Sequence, residues 1–286
     1  MNLNFLRATT ALCCTFSFAW IAVAMAADVG PSRLPAVSAI NGKIEFQGGW
    51  DGMTGLANSA DFLGGATLSM PVGDRFGIQA DVAASNVFGN TMGGGSLHFF
   101  TRDPDAYLLG VTGGAFWANN ANAQLIGPEF ELYSGPMMFQ GYGGFMNMNV
   151  AGVNSGKLFA IADVSLYATD NFRLIVGAKD IADFKSAHAG LEYQFSEAMP
   201  VSLTLDGKIG DNNFAAVDAG IRIYFGGENK SLKRRHREDD PPNRIFDVFN
   251  GAGNAFVPAN VPNPEAACLA QGQYYQWING TCKNTG

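Results

Sequence analysis

The sequence predicts an all-β fold, an antiparallel up-and-down β-barrel of about twelve strands that closes on itself and crosses a membrane. Three observations predict it. The chain is 47% hydrophobic but only 15% charged, with 36 glycines and 22 phenylalanines, whereas soluble domains carry about 25% charge. From about Lys43 to Phe225, short segments alternate polar and apolar residues with period two, the mark of a strand with two different faces. The links between them alternate between tight turns and longer polar stretches. The formal charge of −7 argues against nucleic acid as a partner.

The elements follow in order. Residues 1–26 read as a secretory signal peptide: Arg7 lies in a short leading region, Ala11 to Val23 is an apolar core, and Ala24-Met25-Ala26 is an A-x-A cleavage site. Cys13 and Cys14 would leave with it. Residues 27–42 read as an N-terminal periplasmic segment. After Ala27 no apolar run reaches the roughly 18 residues of a membrane-crossing helix.

Residues 43–225 are the predicted barrel. The clearest alternation is in Lys43–Gln47, Phe76–Val82, Phe172–Lys179, His188–Phe195, Val201–Asp206 and Asp218–Phe225. One face of these segments collects the ionisable groups. By phase the inward, lumen-lining set contains Lys43, Glu45, Asp81, His98, Arg102, Arg173, Lys179, His188, Glu192, Asp206, Lys208, Asp218 and Arg222. Glu129, Glu131 and Asp163 share the phase, so acids slightly outnumber bases. Phe100, Phe116 and Tyr133 also point inward and lean towards a narrow or plugged lumen. The other face is almost free of charge. A dry core would not hold so many charges, and a wetted surface would not be the apolar one. Lipid outside with a polar interior satisfies both. Gly and Met blur the faces near residues 120, 140 and 150, where ten strands is the alternative count.

The expected tight turns are 71–74, 102–105, 134–136, 169–171 and 197–200. The expected longer loops are 53–60, 86–94, 119–122, 149–156 and 180–186. Short periplasmic turns and longer outer loops are the habit of outer-membrane barrels, which places both barrel ends in the periplasm. Residues 226–286 differ: Lys230 to Pro242 is a block with a basic half and an acidic half, expected to be a solvated linker. Beyond it, Cys268 and Cys282 are an even pair in an exported chain and read as a disulfide. It would close a loop of about 15 residues, worth roughly 3 kcal/mol, and staple a C-terminal periplasmic tail.

The last strand carries the best local signal. Outer-membrane assembly machinery recognises a final strand of the form polar-x-Gly-x-x-apolar-x-aromatic. Asp218, Gly220, Ile223 and Phe225 fit that form, and strand addition to an open seam is its physical basis. Such signals usually end a chain, whereas here residues 226–286 follow.

The chain resembles a family of alphaproteobacterial outer-membrane β-barrel proteins, porin-like and without a settled activity. The resemblance covers about residues 43–242. It is carried by Pro71-Val72-Gly73-Asp74-Arg75-Phe76-Gly77, Arg102-Asp103-Pro104 and Ile221-Arg222-Ile223-Tyr224-Phe225-Gly226-Gly227. The most specific strings are Lys230-Ser231-Leu232 and Arg234-Arg235-His236-Arg237-Glu238-Asp239-Asp240-Pro241-Pro242. It implies the barrel fold and an outer-membrane location in a Gram-negative bacterium, and no substrate.

Function is less determined. The leading expectation is a narrow channel for small polar solutes. The alternative is a closed structural or interaction barrel whose tail contacts another envelope component. A third reading, a lipid-acting outer-membrane enzyme, would need Ser and His on the outer face, but His98 and His188 point inward, beside Ser96 and Ser186. No catalytic residue is assigned. No Cys/His cluster or calcium-loop pattern calls for a metal, and no cofactor is expected. The expected partners are outer-membrane lipid, the barrel assembly machinery and an envelope component met by the tail.

Overall fold

A computed structural model describes residues 34–54, 58–118, 121–150, 152–226, 229–239 and 241–249, together with strands 275–278 and 281–284. The expected signal peptide lies outside the described residues. So do Cys268 and the side chain of Cys282, and with them the expected disulfide.

Twelve antiparallel strands form one closed barrel. They are β1 (Asn41–Gly52), β2 (Ser59–Val72), β3 (Phe76–Val87), β4 (Asn90–Asp103), β5 (Tyr107–Ala118) and β6 (Ala121–Ser134), followed by β7 (Met137–Val150), β8 (Val153–Thr169), β9 (Phe172–Ile181), β10 (Phe184–Gln194), β11 (Val201–Gly210) and β12 (Phe214–Gly226). Each strand pairs with its sequence neighbours. The ring closes where β1 meets β12, from Asn41 opposite Gly226 to Gly52 opposite Ala215. Closure removes every free edge, the condition for a sheet to sit in lipid. A short hairpin, β13 (Tyr275–Ile278) and β14 (Thr281–Asn284), forms a separate sheet.

The strand count agrees with twelve rather than ten. The Gly- and Met-rich stretches that blur the alternation are full strands. Irregularity is confined to places such as Gly127 and Pro128 in β6, where the ladder to β7 lapses between the pairs Ile126–Phe145 and Glu129–Tyr142. A proline has no amide proton to give to that ladder.

The links differ from expectation at one end. The turns where β1 begins and β12 ends, here the terminal end, are tight as expected. At the far end the expected long loops are mostly absent. Strands run through four of them and leave residues 88–89, 119–120, 151–152 and 182–183 as links, while 53–58 stays the longer link between β1 and β2. Phe88 and Gly89, and Ala182 and Asp183, all have positive φ, the geometry of a two-residue hairpin turn whose twist matches the strands. Asn, Ser and Gly in these stretches gave a loop-like composition, but pairing continues through them. Loop length therefore does not distinguish the two ends.

The outside of the barrel is apolar all the way round. Phe62 (66% exposed), Leu97 (64%) and Leu158 (77%) stand free on three different strands. Aromatic side chains gather towards both ends. At the terminal end, Phe76 stacks on Phe99 at 5.4 Å, and Tyr193 meets Phe172 and Phe195 edge-on. Towards the far end Trp50, Phe62 and Trp117 are exposed. An apolar band flanked by two aromatic girdles is what a bilayer requires of a barrel. An arginine at Val82, midway along β3 and 58% exposed, is expected to cost about 2–4 kcal/mol when the barrel unfolds from lipid. Urea titration in vesicles measures this, and an unchanged midpoint would mean that Val82 does not face lipid.

Candidate functional site

The segment after β12 does not trail away from the barrel. Residues 229–239 and 241–249 turn back into the lumen, and this corrects the expectation of a solvated linker at Lys230 to Pro242. The helix α1 (Leu232–Glu238) sits in the terminal mouth with Leu232, Arg235, His236 and Glu238 buried. Three of these, at i, i+3 and i+4, share one helical face. The barrel rim receives it in detail. Asn171 Oδ1 accepts from the Leu232 amide at 3.1 Å. Gln194 donates to the Lys230 carbonyl at 2.8 Å. Arg237 donates to the carbonyls of Gly135 and Met137 and lies 5.0 Å over the Tyr133 ring. The N-terminal residues 34–40 enter the same mouth: Val37 packs with Phe100 and Leu108, and the Ser38 amide bonds the Glu238 carbonyl at 3.0 Å.

Deeper in, Lys43 and Gln79 both donate to the Pro241 carbonyl at 3.2 Å. A helical turn over 244–249 then lies along the lumen. Its Ile245, Phe246, Val248 and Phe249 are buried against an apolar inner wall that includes Met92, Phe116, Leu125, Met146, Phe159 and Ile161. Phe249 meets Phe116 edge-on at 6.1 Å. Phe246 occupies the space left by Gly65, where any Cβ would collide with its ring. Burying two phenylalanines and two aliphatic side chains gives the segment its hold, at roughly 1.5–3 kcal/mol per side chain.

The ionisable residues of the lumen-lining set are buried or half-buried, and most are engaged with another side chain or with the segment after β12. Glu192 joins Arg222 Nη1 at 2.6 Å, the Tyr224 hydroxyl at 2.7 Å and Arg173 at 3.8 Å. Arg222 also pairs with Glu45, and Lys208 with Asp218. Arg102 donates to the Ala36 carbonyl at 3.3 Å and stacks on Phe100. His236 of α1 lies between the Tyr167 and Tyr224 hydroxyls, at 2.8 and 3.0 Å. Burial, followed by the nearby cations Arg173, Arg222 and Lys43, holds this imidazole well below its ordinary pKa against the opposing pull of Glu192. As a neutral ring it can accept one of the two tyrosine protons.

Two further histidines form matching units. His98 places Nε2 at 2.7 Å from Asp81 and Nδ1 at 2.9 Å from Glu129. His188 places Nδ1 at 2.8 Å from Asp206 and Nε2 at 3.0 Å from Asp163. Between the units stands Arg244 of the plug, 3.9 Å from Glu129 and 3.8 Å from Asp163, while Lys179 holds the plug's Asp247 at 2.7 Å. A belt of alternating acidic and basic side chains therefore crosses the lumen from Asp81 to Asp206, with a plug residue as its middle member.

Ser96 lies 3.3 Å from His98 Nε2, and Glu129 is on the other nitrogen, the order of a hydrolase triad. Asp81 already occupies Nε2 at shorter range, so the ring has no free lone pair for a serine proton. The assembly-signal residues divide by face: Asp218 is buried and paired, whereas Ile223 and Phe225 stand outside on the closing strand. A polar cavity of about 130 Å³ remains beside the plug, lined by Lys43, Arg173, Lys179, Asp206, Lys208 and Asp247 among others.

No family model and no curated protein matches the chain. Solved structures do match. The KdgM porin, in a complex with oligogalacturonate, is 5% identical over 64% of this chain and 99% of its own, with a TM-score of 0.48. The NanC porin is 8% identical over 64% and 100%, also at 0.48. The outer membrane protein Omp33 of Acinetobacter baumannii is 9% identical over 65% and 98%, at 0.41. The fold of the described residues is a closed antiparallel barrel of twelve strands.

The plug residues Arg244, Asp247, Phe246 and Phe249 are what the sequence reading missed. Their signal was present: Ile245, Phe246, Val248 and Phe249 are too apolar a run for a solvated tail, and the slightly acidic inward set lacked a cation.

Proposed function

We propose that this protein resides in the outer membrane of a Gram-negative bacterium as a barrel closed by its own C-terminal segment, with barrier and contact roles in its resting state. One observation carries the reading: residues 229–249 fill the lumen with buried, hydrogen-bonded and ion-paired side chains. This reverses the order of the two leading expectations, because an open channel for polar solutes would not have its wall charges tied to a plug. Both barrel ends are read as periplasmic, with lipid, the assembly machinery and an envelope component met by the tail as partners. Membership in the alphaproteobacterial porin-like family is part of this proposal and rests on the Lys230–Pro242 string, which is the segment that forms the mouth of the plug.

A second reading, a narrow channel opened when the plug withdraws, is favoured by the polar cavity of about 130 Å³ beside it. Planar-bilayer conductance separates the two. Residues 27–286 are expected to be silent and a chain ending at Gly226 to give discrete ion-conducting steps. Equal steps from both would overturn closure. Silence from both, with heat-modifiable migration on gels, would leave the closed interaction barrel as the reading.

A further inference from the structure

We infer that the inner wall holds a binding site for a small organic cation, made by Glu129, Asp163 and the Tyr142 ring, and that Arg244 is its tethered occupant. The inference rests on the plug being the closure proposed above, and it adds the class of molecule that the closed lumen would accept.

The site is built before Arg244 enters it. Glu129 comes from β6, Asp163 from β8 and Tyr142 from β7 between them, so three adjacent strands present two acids and a ring to one point. His98 and His188 orient the two carboxylates from outside the site. Asp163 uses Oδ1 for its histidine and turns Oδ2 towards Arg244. The Tyr142 hydroxyl bonds the Thr112 carbonyl at 3.3 Å, and its ring packs edge-on to Phe159 at 4.9 Å. The ring is therefore fixed, with the guanidinium carbon 5.9 Å from its centre, within the range of a cation over an aromatic face. Two acids beside an aromatic ring and an apolar wall suit a guanidinium or a primary ammonium head, whose N–H groups can be donated to both carboxylates, better than a strongly hydrated metal ion or a quaternary ammonium without donors.

Arg244 itself fits loosely. It is 1% exposed, yet its only hydrogen bond among the described residues is to Asp247, at 3.1 Å and also on the plug. Its distances to Glu129 and Asp163, 3.9 and 3.8 Å, exceed hydrogen-bond length. Its Nε and Nη2 are buried with no hydrogen-bond partner. A buried guanidinium with unused donors, aimed at two acids, is held by tethering more than by fit. When the plug withdraws, Glu129 and Asp163 each keep a histidine but lose the cation between them, and two acids then face one another across the site. A solute with a guanidinium or ammonium head restores the balance. It also competes with the plug, whose advantage is an effective concentration on the order of millimolar.

The test uses the mature full-length chain in bilayers, with Arg244→Ala beside the wild type. Arg244→Ala is expected to raise the conducting fraction roughly tenfold, the equivalent of about 1.4 kcal/mol. Millimolar methylguanidinium is expected to return it towards silence, whereas tetramethylammonium and potassium at the same concentration leave it open. Adding Glu129→Gln is expected to abolish that response. Opening that methylguanidinium reverses no better than the control ions would overturn the cation site and leave the plug standing. An Arg244→Ala barrel that stays silent, with no methylguanidinium-dependent gain in thermal stability, would also overturn it. Should that variant fail to refold, the wild type serves: opening by methylguanidinium but not by tetramethylammonium supports the site, and equal indifference to both overturns it. Conducting wild-type barrels without any added cation would instead remove the closure on which the inference rests.

Discussion

Replacing Glu192 with glutamine is expected to loosen the terminal mouth and lower stability by about 3–5 kcal/mol, the cost of breaking a buried ion pair from one side. Glu192 is 1% exposed and faces Arg222, Arg173, the Tyr224 hydroxyl and His236. An amide keeps the shape but leaves two guanidiniums, 12% and 15% exposed, with less anion than they need. Arg222 retains Glu45, which limits the loss. Arg173 has no second carboxylate among its described ion pairs and bears most of it. Unfolding by urea in vesicles gives the stability change. Limited proteolysis between Lys230 and Arg244 reports whether α1 has left the mouth. An unchanged urea midpoint would mean that water, rather than Glu192, compensates these arginines.

Phe246→Ala and Phe249→Ala act at the other end of the plug. Truncating a buried phenylalanine typically costs about 3–5 kcal/mol, and here the loss falls on docking of the segment rather than on the strands. Each change is expected to raise the open population at least a hundredfold, since about 1.4 kcal/mol is tenfold. The barrel itself should keep its heat-modifiable migration. Phe46→Ala is the control: its ring is 58% exposed on the outer face, so it should leave closure untouched. Conductance measures all three. If Phe246→Ala and Phe249→Ala are as silent as the wild type, the apolar half of the plug does not hold the lumen shut.

The barrel was legible in the sequence because its alternation records two solvents. Residues such as Phe172–Lys179 and Asp218–Phe225 carry lipid-facing and lumen-facing side chains in strict turn, and the inward set read from them lies inside. The far-end links were not legible, because Asn86, Gly89 and Asn90 look the same by composition whether they form a loop or a tight hairpin. Only pairing partners decide, and these are distant in sequence. The plug was hidden for a related reason. The Lys230–Pro242 block is as charged as a solvated linker would be, and its burial is acceptable only because barrel atoms such as Asn171 Oδ1, the Gly135 carbonyl and Lys43 Nζ bond to it. The Ser96–His98 pairing was visible, but not that Asp81 would arrive on the same nitrogen.

A ring made from a single chain has one seam between its first and last strands, the place where it could part sideways into the bilayer. In this protein the plug follows directly from β12, one of the two seam strands. Inside the seam, Arg222 of β12 clasps Glu45 of β1, and Lys43 of β1 holds the Pro241 carbonyl. Tyr224 of β12 bonds His236 from the same side. The plug thus works as a rivet across the join as well as a stopper along the axis. The two seam strands pair along their whole length without it, so the seated plug adds to a join that is already closed, and its departure is expected to open the axis while leaving the seam shut.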